Sequence, residues 1–224
     1  MKISPLGDSA ITVCFGEELS PEINEKAIAL CRAVSENPFP GMIETVPSYS
    51  SATVFYDVVA VRNAFDSFPT AYDAVYDLVL QTLAATDLAG SGESSRIVEV
   101  PVRFDAASGP DLSAAARRSK LSEREFIEVF VSRVYRVYMI GFLPGFPYMA
   151  AVDSRIRQPR LETPRRRIQK GSVGIAGLQT GIYPRESPGG WQIIGRTAVQ
   201  MFDPFRPETS TFRAGDQVKF VPES

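Results

Sequence analysis

Between residues 171 and 191 the chain reads GSVGIAGLQTGIYPRESPGGW, a glycine-rich stretch that decides the fold class of the second half. Short runs of alternating apolar residues surround it, separated by glycine and proline turns, and ten of the 16 glycines follow residue 140. Strands of this length between such turns are typical of a β-barrel or a β-sandwich with functional loops. The predicted strands are residues 134–140, 172–176, 191–195, 199–202 and 217–221.

The first half follows a different pattern. Two strand candidates flank a glycine-aspartate turn pair at 7–8, and the helix that follows has Ser20 as its cap and Pro21 as its first residue. Two more strand candidates precede a second helix, whose apolar residues recur at helical spacing over 72–83. This order predicts a small α+β domain with helices on one face of an antiparallel sheet. The strand candidates are residues 2–5, 10–15, 42–46 and 52–58.

The pattern also predicts a domain boundary. Residues 86–95, TDLAGSGESS, are small and polar, as in a linker. We therefore expect an α+β chain with an N-terminal α+β domain at 1–88 and a β-barrel or β-sandwich domain at 95–224. The second domain begins with a strand and two short helices, the second of which starts at the capping box Ser122-x-x-Glu125.

The composition excludes several classes of function. The 224 residues contain no histidine, which removes Ser-His and Cys-His mechanisms and metals held by histidine. A net charge of −2 provides no global field for nucleic acid, and no run approaches the roughly 20 apolar residues of a membrane helix. Because the first residues lack the apolar core of a signal peptide, we expect a soluble cytoplasmic protein that binds neither nucleic acid nor membrane. Cys14 and Cys31 are expected to be free thiols.

Three stretches of the second half carry the candidate chemistry. Residues 141–149, GFLPGFPYM, are too rich in glycine and proline for a regular strand or helix, and form either a packed hairpin corner or a stiff ligand-binding loop. Residues 155–170 hold seven basic residues and one acid, and 19 of the 24 basic residues of the chain are arginine. This segment is either a solvated loop or a surface for carboxylate or phosphate oxygens. In residues 171–191, the polar side chains among the glycines either orient a small amide or carboxylate, or belong to a tight meander around a buried tryptophan.

Together these stretches resemble a known family. The segments GFLPGFPYM, TPRRRIQKGSVGIAGLQTGIYPRESPGGWQIIGRT, FDP and AGDQVKFVP are similar to the B subunit of 5-oxoprolinase, whose relatives are allophanate hydrolase subunit 1 and a sporulation-kinase inhibitor of bacilli. The resemblance is long and specific over residues 135–222. In the first half it is carried by PLGDSA and PFPGMIETVPSYSSATVFYD. It implies a cyclophilin-like β-barrel domain beside a small α+β domain.

The resemblance also implies an activity, partners and a site. The family's B subunit works with a larger cyclophilin-like C subunit and with an A subunit, and the complex opens the lactam of 5-oxo-L-proline to L-glutamate while it consumes ATP with Mg²⁺. Arg165 or Arg196 is expected to hold an anion. Gln179 and Tyr183 are expected to read the amide, and Trp191 to wall the pocket. The full set of implied substrate-binding residues is Gly145, Phe146, Pro147, Tyr148, Arg165, Gln179, Tyr183, Ser187, Trp191 and Arg196.

The chain departs from the family pattern at two places. Family members often carry a histidine where this chain has Val131-Ser132, and many have a glycine pair where it has Ala150-Ala151. The sequence therefore assigns no catalytic residue. Two other functions stay open on the same fold. One is a regulatory protein that binds and inhibits a sensor histidine kinase, and the other is a carboxyltransferase-type subunit that acts on urea-derived allophanate.

Overall fold

The computed structural model describes residues 1–88 and 96–223. The chain divides into two compact units, Met1–Ser94 and Ser95–Ser224, and each mixes helices with sheet, as the predicted α+β class requires. Most of the predicted linker, residues 89–95, lies outside the described residues. Within the described part of the chain, no helix combines the length and the apolar character needed to cross a bilayer.

The first unit is a four-stranded antiparallel sheet in the order β1-β2-β4-β3, with three helices. Its core lies between the helices and the side chains of one sheet face, among them Ile11, Val13 and Val54, which are fully buried. The elements are β1 Lys2–Pro5, β2 Ala10–Cys14, α1 Pro21–Glu36, β3 Met42–Pro47, β4 Ser51–Tyr56, α2 Val58–Ala64 and α3 Ala71–Ala85.

Helix caps decide where the helices of this unit begin. The Ser20 hydroxyl accepts the Ile23 N–H at the start of α1, as the sequence predicts. The sequence prediction omits helix α2, because its valines favour a strand and residue 58 ends the strand predicted before it. The Asp57 carboxylate accepts the Ala60 N–H at 2.8 Å and starts a helix there instead.

The second unit contains a seven-stranded sheet in the order β12-β9-β10-β7-β6-β13-β5. All neighbours are antiparallel except β5 and β13. Its two ends meet where the Arg103 N–H donates to the Arg196 carbonyl at 2.8 Å and the reverse bond spans 3.0 Å, which makes the sheet a nearly closed, cyclophilin-like barrel. The strands are β5 Ile97–Val102, β6 Val134–Ile140, β7 Pro147–Ala150, β8 Arg165–Ile168, β9 Ser172–Ala176, β10 Gln179–Ile182, β11 Ser187–Gly189, β12 Gln192–Arg196 and β13 Gln217–Pro222; β8 and β11 form a separate pair.

Aromatic and branched side chains fill the barrel. Two helices, α4 Leu112–Arg118 and α5 Glu123–Val131, contribute to this core. The predicted capping box starts α5, and places Phe126 and Phe130 in the interior with no exposed surface. The Phe130 ring stacks on that of Phe220, with centroids 4.9 Å apart. Helix α5 thereby packs against strand β13.

Two sequence predictions about strands are wrong. The end of the 141–149 stretch is regular, because Pro147–Ala150 pairs with both β6 and β10 as strand β7. Proline is tolerated there since Pro147 is the first residue of the strand. Residues 199–202 form no strand; of these, Phe202 alone makes an isolated bridge, to Ser210.

Candidate functional site

Four predicted site residues form an aromatic cluster, Phe146, Tyr148, Tyr183 and Trp191, in the second unit. The Phe146 ring lies at its centre, with centroids 4.7 Å from Tyr148, 5.2 Å from Tyr183 and 5.5 Å from Trp191. The last two contacts are edge-to-face, the geometry that aromatic quadrupoles favour. Phe146, Tyr183 and Trp191 are at most 5% exposed, whereas Tyr148 is half-buried. Tyr148 is therefore the member that a ligand reaches most readily.

The aromatic cluster lies on the outer face of the barrel sheet. In strand β10, Ile182 belongs to the barrel core, so the preceding residue, Gly181, faces outward. A Cβ at Gly181 would lie 2.8 Å from the Phe146 ring. Because Gly181 has no side chain, the Phe146 ring can pack directly against strand β10.

The turn before β7 brings Phe146 to this position. Gly145 has a φ of 81°, and a Cβ there would lie 2.7 Å from Cβ of Phe202 and 2.8 Å from the Met201 carbonyl oxygen. Only glycine satisfies both the positive φ and the close packing. The Phe146 N–H then donates to the Leu143 carbonyl at 3.0 Å, which closes the turn. The predicted residues Gly145 and Pro147 therefore shape the backbone at the site.

Gln179 lies on the same outer face, at the start of β10. In register it is opposite Ala150 on one side and Ala176 on the other, and two residues later Gly181 is opposite Tyr148. Alternation along the strand places Gln179 and Tyr148 on one face. Gln179 is half-buried, and its amide makes no hydrogen bond to any residue that the structure describes. It is therefore free to pair with a ligand.

The buried phenol of Tyr183 is a hydrogen-bonding group and not a base at neutral pH. Burial raises its pKa to about 12, against the opposing effect of a hydrogen bond with the Trp191 backbone. Burial also raises the pKa of Tyr148, against the opposing charge of Arg160. Both phenols stay protonated in the physiological range.

Arg160 lies beside the aromatic cluster. Sequence patterns do not distinguish it from the other basic residues of segment 155–170. The Leu161 N–H donates to the Gly190 carbonyl at 2.7 Å, and the Gln192 side chain donates to the Pro159 carbonyl at 3.1 Å. These bonds fasten the backbone on both sides of Arg160 to the residues that flank Trp191. Arg160 is exposed and forms no ion pair with any described residue.

An arginine cavity of about 170 Å³ adjoins the aromatic cluster. Ile168 and Ile193 pack in the same hydrophobic cluster as the aromatic side chains and also line the cavity. The aromatic cluster and the cavity therefore form one continuous region of the second unit. Three arginines line the cavity, and its lining includes no carboxylate. The lining residues are Ala107, Ser108, Pro110, Arg165, Arg167, Ile168, Gln169, Ser172, Ile193 and Arg196.

Asp111 fixes Arg165 from outside the lining. Nη2 of Arg165 donates to Oδ1 of Asp111 at 2.6 Å, while Oδ2 accepts the Ile193 N–H at 2.6 Å. The Asp111 N–H returns a bond of 2.9 Å to the Ile193 carbonyl. The Asp111 side chain is 10% exposed and that of Arg165 is 32% exposed. This clamp couples α4, β8 and β12.

Two buried polar atoms in this region have no partner among the described residues, Nη1 of Arg165 and Oγ of Ser187. Ser187 lies opposite Ile168 of the cavity wall in the β8–β11 pair. A buried donor without an acceptor costs about 1–3 kcal/mol.

The two other arginines of the cavity have anchors of their own. Arg196 donates from Nη1 to Oε1 of Gln169, and Arg167 pairs through Nε with Glu186 at 2.6 Å. A guanidinium has five N–H donors, so each anchor leaves further donors for a ligand. The structure therefore brings Arg165 and Arg196, the two predicted anion-binding residues, into one cavity.

Asp111 is the main member of the site that the sequence does not reveal. Its bond to Arg165 spans 54 residues, and no local pattern marks a carboxylate that pairs at such a distance. No sequence pattern singles out Ser108, Arg167 or Gln169 either. Arginine-rich composition points to the right segment, but not to the side chains within it that meet.

The departures from the family pattern have simple structural positions. Ser132 follows α5 as its C-cap, and its hydroxyl donates to the Val129 carbonyl at 2.9 Å. Ala150 ends β7 directly opposite Gln179. Among the described residues, no group of three or more cysteine, aspartate and glutamate side chains is placed to hold a metal ion.

Comparison with known protein families identifies the family of this chain. A model of the carboxyltransferase domain, subdomain C and D, matches residues 1–212. The chain belongs to this family.

Members and relatives of the carboxyltransferase subdomain C and D family span the whole chain. The 5-oxoprolinase B subunit of Bacillus subtilis (strain 168) is 43% identical over 98% of this chain and 92% of its own length. The crystal structure of TTHA0988 superposes with a TM-score of 0.82 at 35% identity over 96% of this chain, which spans 40% of that longer chain. Urea amidolyase of Kluyveromyces lactis, at 20% identity, shares the fold with a TM-score of 0.75 over 99% of this chain and 15% of its own.

Proposed function

We propose that this chain is the B subunit of an ATP-dependent 5-oxoprolinase, which opens 5-oxo-L-proline to L-glutamate together with its C and A subunits. The observation that carries the proposal is the continuity of the aromatic cluster, the free amide of Gln179 and the arginine cavity. A small cyclic amide whose oxygen is phosphorylated presents an apolar ring, an amide and an anion to these three kinds of contact. Similarity to curated 5-oxoprolinase B subunits over nearly the full chain supports the assignment.

The side chains have separate tasks in this proposal. Gln179 can donate to a lactam oxygen and accept from a lactam N–H, because an amide side chain does both. Tyr148, the half-buried member of the aromatic cluster, packs against the lactam ring of the substrate. The arginines stabilise negative charge that develops on the amide oxygen, which is the largest electrostatic demand of amide chemistry.

ATP, when bound to the complex, supplies a phosphoryl group that turns the oxygen of a poor electrophile into a better leaving group. The arginine cavity fits a phosphate group but is smaller than the roughly 300–1,000 Å³ of pockets that enclose a drug-sized ligand. We propose that the nucleoside and the Mg²⁺ bind outside this cavity, with contributions from the partner subunits. On this view the chain is inactive without its partners.

The test is an ATP-dependent 5-oxoproline assay with the three subunits reconstituted, in which glutamate is measured. Gln179→Ala should lower turnover at least tenfold, since a polar contact made to the reacting group is lost. The matched control is Gln200→Ala, an exposed glutamine of the same unit whose side chain donates to the Phe202 carbonyl. Equal turnover of the two variants would reject the role of Gln179.

The same reconstitution separates the proposal from the two other functions that the fold admits. Failure to form glutamate, with suppression of autophosphorylation when a sensor histidine kinase is added, would favour the regulatory function. Carboxyl transfer to urea, or turnover of allophanate, would favour the carboxyltransferase function.

A further inference from the structure

We propose that the arginine cavity is a binding site for a phosphate oxyanion, formed by Arg165, Arg196 and Arg167. This inference rests on the proposed function only for the identity of the molecule that delivers the phosphate. The cavity itself is defined by the geometry of this chain. The shared chemistry is a tetrahedral oxyanion, whether it comes as free phosphate, as the terminal phosphate of a nucleotide or as a phosphorylated amide.

The N–H donors of the cavity favour an anion with several acceptor oxygens. Three guanidiniums line it without a carboxylate in the lining. The carboxylates that pair with two of them, Asp111 and Glu186, lie outside the lining. Because two of the three charges are already paired, phosphate is favoured over a carboxylate by its larger number of acceptor oxygens, which can meet the remaining N–H donors.

The orientation of Arg165 favours an oxyanion in the cavity. Because Nη2 donates to Asp111, the orientation of the guanidinium is fixed. A fixed fork loses little conformational entropy when it binds oxygens in pairs. Ser172 is a further polar residue of the lining beside the arginines.

The position of the cavity suits a group that is transferred to an amide. Ile168 and Ile193 line the cavity and also belong to the hydrophobic cluster that contains the aromatic side chains, so the two features share a wall. An anion in the cavity would therefore lie next to a ligand on the aromatic cluster. The two sites are adjacent and chemically different, as two reactants require.

The test is titration of the full chain by calorimetry with inorganic phosphate and with acetate, and a further titration with phosphate in the presence of ATP. We expect phosphate to bind, acetate to bind at least tenfold more weakly, and Arg165→Gln and Arg196→Gln each to weaken phosphate binding roughly tenfold or more. The control is Arg166→Gln, since Arg166 is exposed, adjacent in sequence and absent from the cavity lining. It should change the affinity less than twofold. ATP that competes with phosphate identifies the nucleotide as the source, and ATP that does not compete points to free or amide-bound phosphate.

Three outcomes would overturn the proposal: no phosphate binding, equal affinity for acetate, or the same loss from Arg166→Gln as from both cavity variants. Fluorescence of Trp191, the one tryptophan of the chain, reports whether each variant is folded. If Arg165→Gln unfolds because Asp111 loses its partner, Arg196→Gln still decides the question. Phosphate binding without 5-oxoproline turnover by the complex would sink the proposed function and leave the cavity assignment intact.

Discussion

Replacement of Asp111 by alanine should destabilise the second unit and leave the first unit unaffected. The substitution removes the partner of Nη2 of Arg165 and the acceptor of the Ile193 N–H, both bonds of 2.6 Å. It also severs a connection between α4, β8 and β12. We expect a loss of about 2–4 kcal/mol in the free energy of unfolding of this unit.

The magnitude follows from burial. An ion pair broken in a fully buried setting costs about 3–5 kcal/mol, and an exposed one about 0–1 kcal/mol. Here the aspartate side chain is 10% exposed and the arginine 32%, so the pair falls between these limits. The Ile193 N–H, left without its acceptor in a buried strand, adds about 1–3 kcal/mol. Partial hydration of the arginine reduces the total.

Urea unfolding followed by Trp191 fluorescence measures this loss, because the single tryptophan reports on the second unit. With a slope of about 2 kcal/mol per molar urea, the midpoint should fall by about 1–2 M. Asp111→Asn keeps an acceptor for the Ile193 N–H and should lose about half as much. Glu162→Ala is the control, since Glu162 is exposed and forms no ion pair with a described residue. A midpoint shift for Asp111→Ala equal to that of the control would refute the reasoning.

Three further predictions concern packing, capping and pH. Gly181→Ala should destabilise the second unit by about 1–3 kcal/mol, because the new Cβ would lie 2.8 Å from the Phe146 ring. Gly190→Ala, whose Cβ would meet nothing closer than 3.7 Å, should change stability by far less; similar urea midpoints would contradict the packing argument. Ser122→Ala removes the capping box of α5 and should cost about 1 kcal/mol, measured as a lower thermal midpoint, while an unchanged midpoint would show that packing alone holds the helix end. Tyr183 has a pKa raised from 10.0 to about 12, so its contribution is complete below pH 10 and is lost as the pH rises through 12. Tyr183→Phe should therefore show a shallower loss of stability over that range, and an identical pH profile would count against a buried neutral phenol.

Local signals in the sequence are sufficient to predict most elements of the fold. The caps at Ser20 and Ser122 start helices at the predicted residues, because one hydroxyl and its neighbouring N–H groups decide the matter within a single turn. Glycine and proline turns predict strands β6, β9, β12 and β13, because such turns bound short strands locally. Strands β8, β10 and β11 lie where the sequence predicts no strand. Helix α2 is not predicted because its valines favour a strand, whereas the Asp57 cap starts a helix there. Strand β7 is not predicted because proline disfavours a strand, whereas Pro147 is tolerated as the first residue of one.

The residues of the candidate site also fall into two groups: those that local sequence identifies, and those that only tertiary structure brings together. Phe146, Tyr148, Tyr183 and Trp191 are recognisable from their stretches, and strand register brings them together. Asp111 and Arg165 meet only because the closed barrel carries β12 past the start of α4, which no local pattern contains. Contacts of this range depend on tertiary structure and could not be predicted from single-sequence reasoning.

The position of the anchors explains how the arginine cavity is compatible with a stable unit. Three guanidiniums in a small space repel one another, and the lining holds no carboxylate to offset them. The chain compensates two of them with anions outside the lining, Asp111 for Arg165 and Glu186 for Arg167, and the third with the side-chain oxygen of Gln169. A carboxylate inside the cavity would stabilise the arginines equally well but would occupy the donors that a ligand needs. The carboxylates of Asp111 and Glu186 pair with their arginines without occupying the cavity, so the remaining N–H donors of the guanidiniums stay available to a ligand.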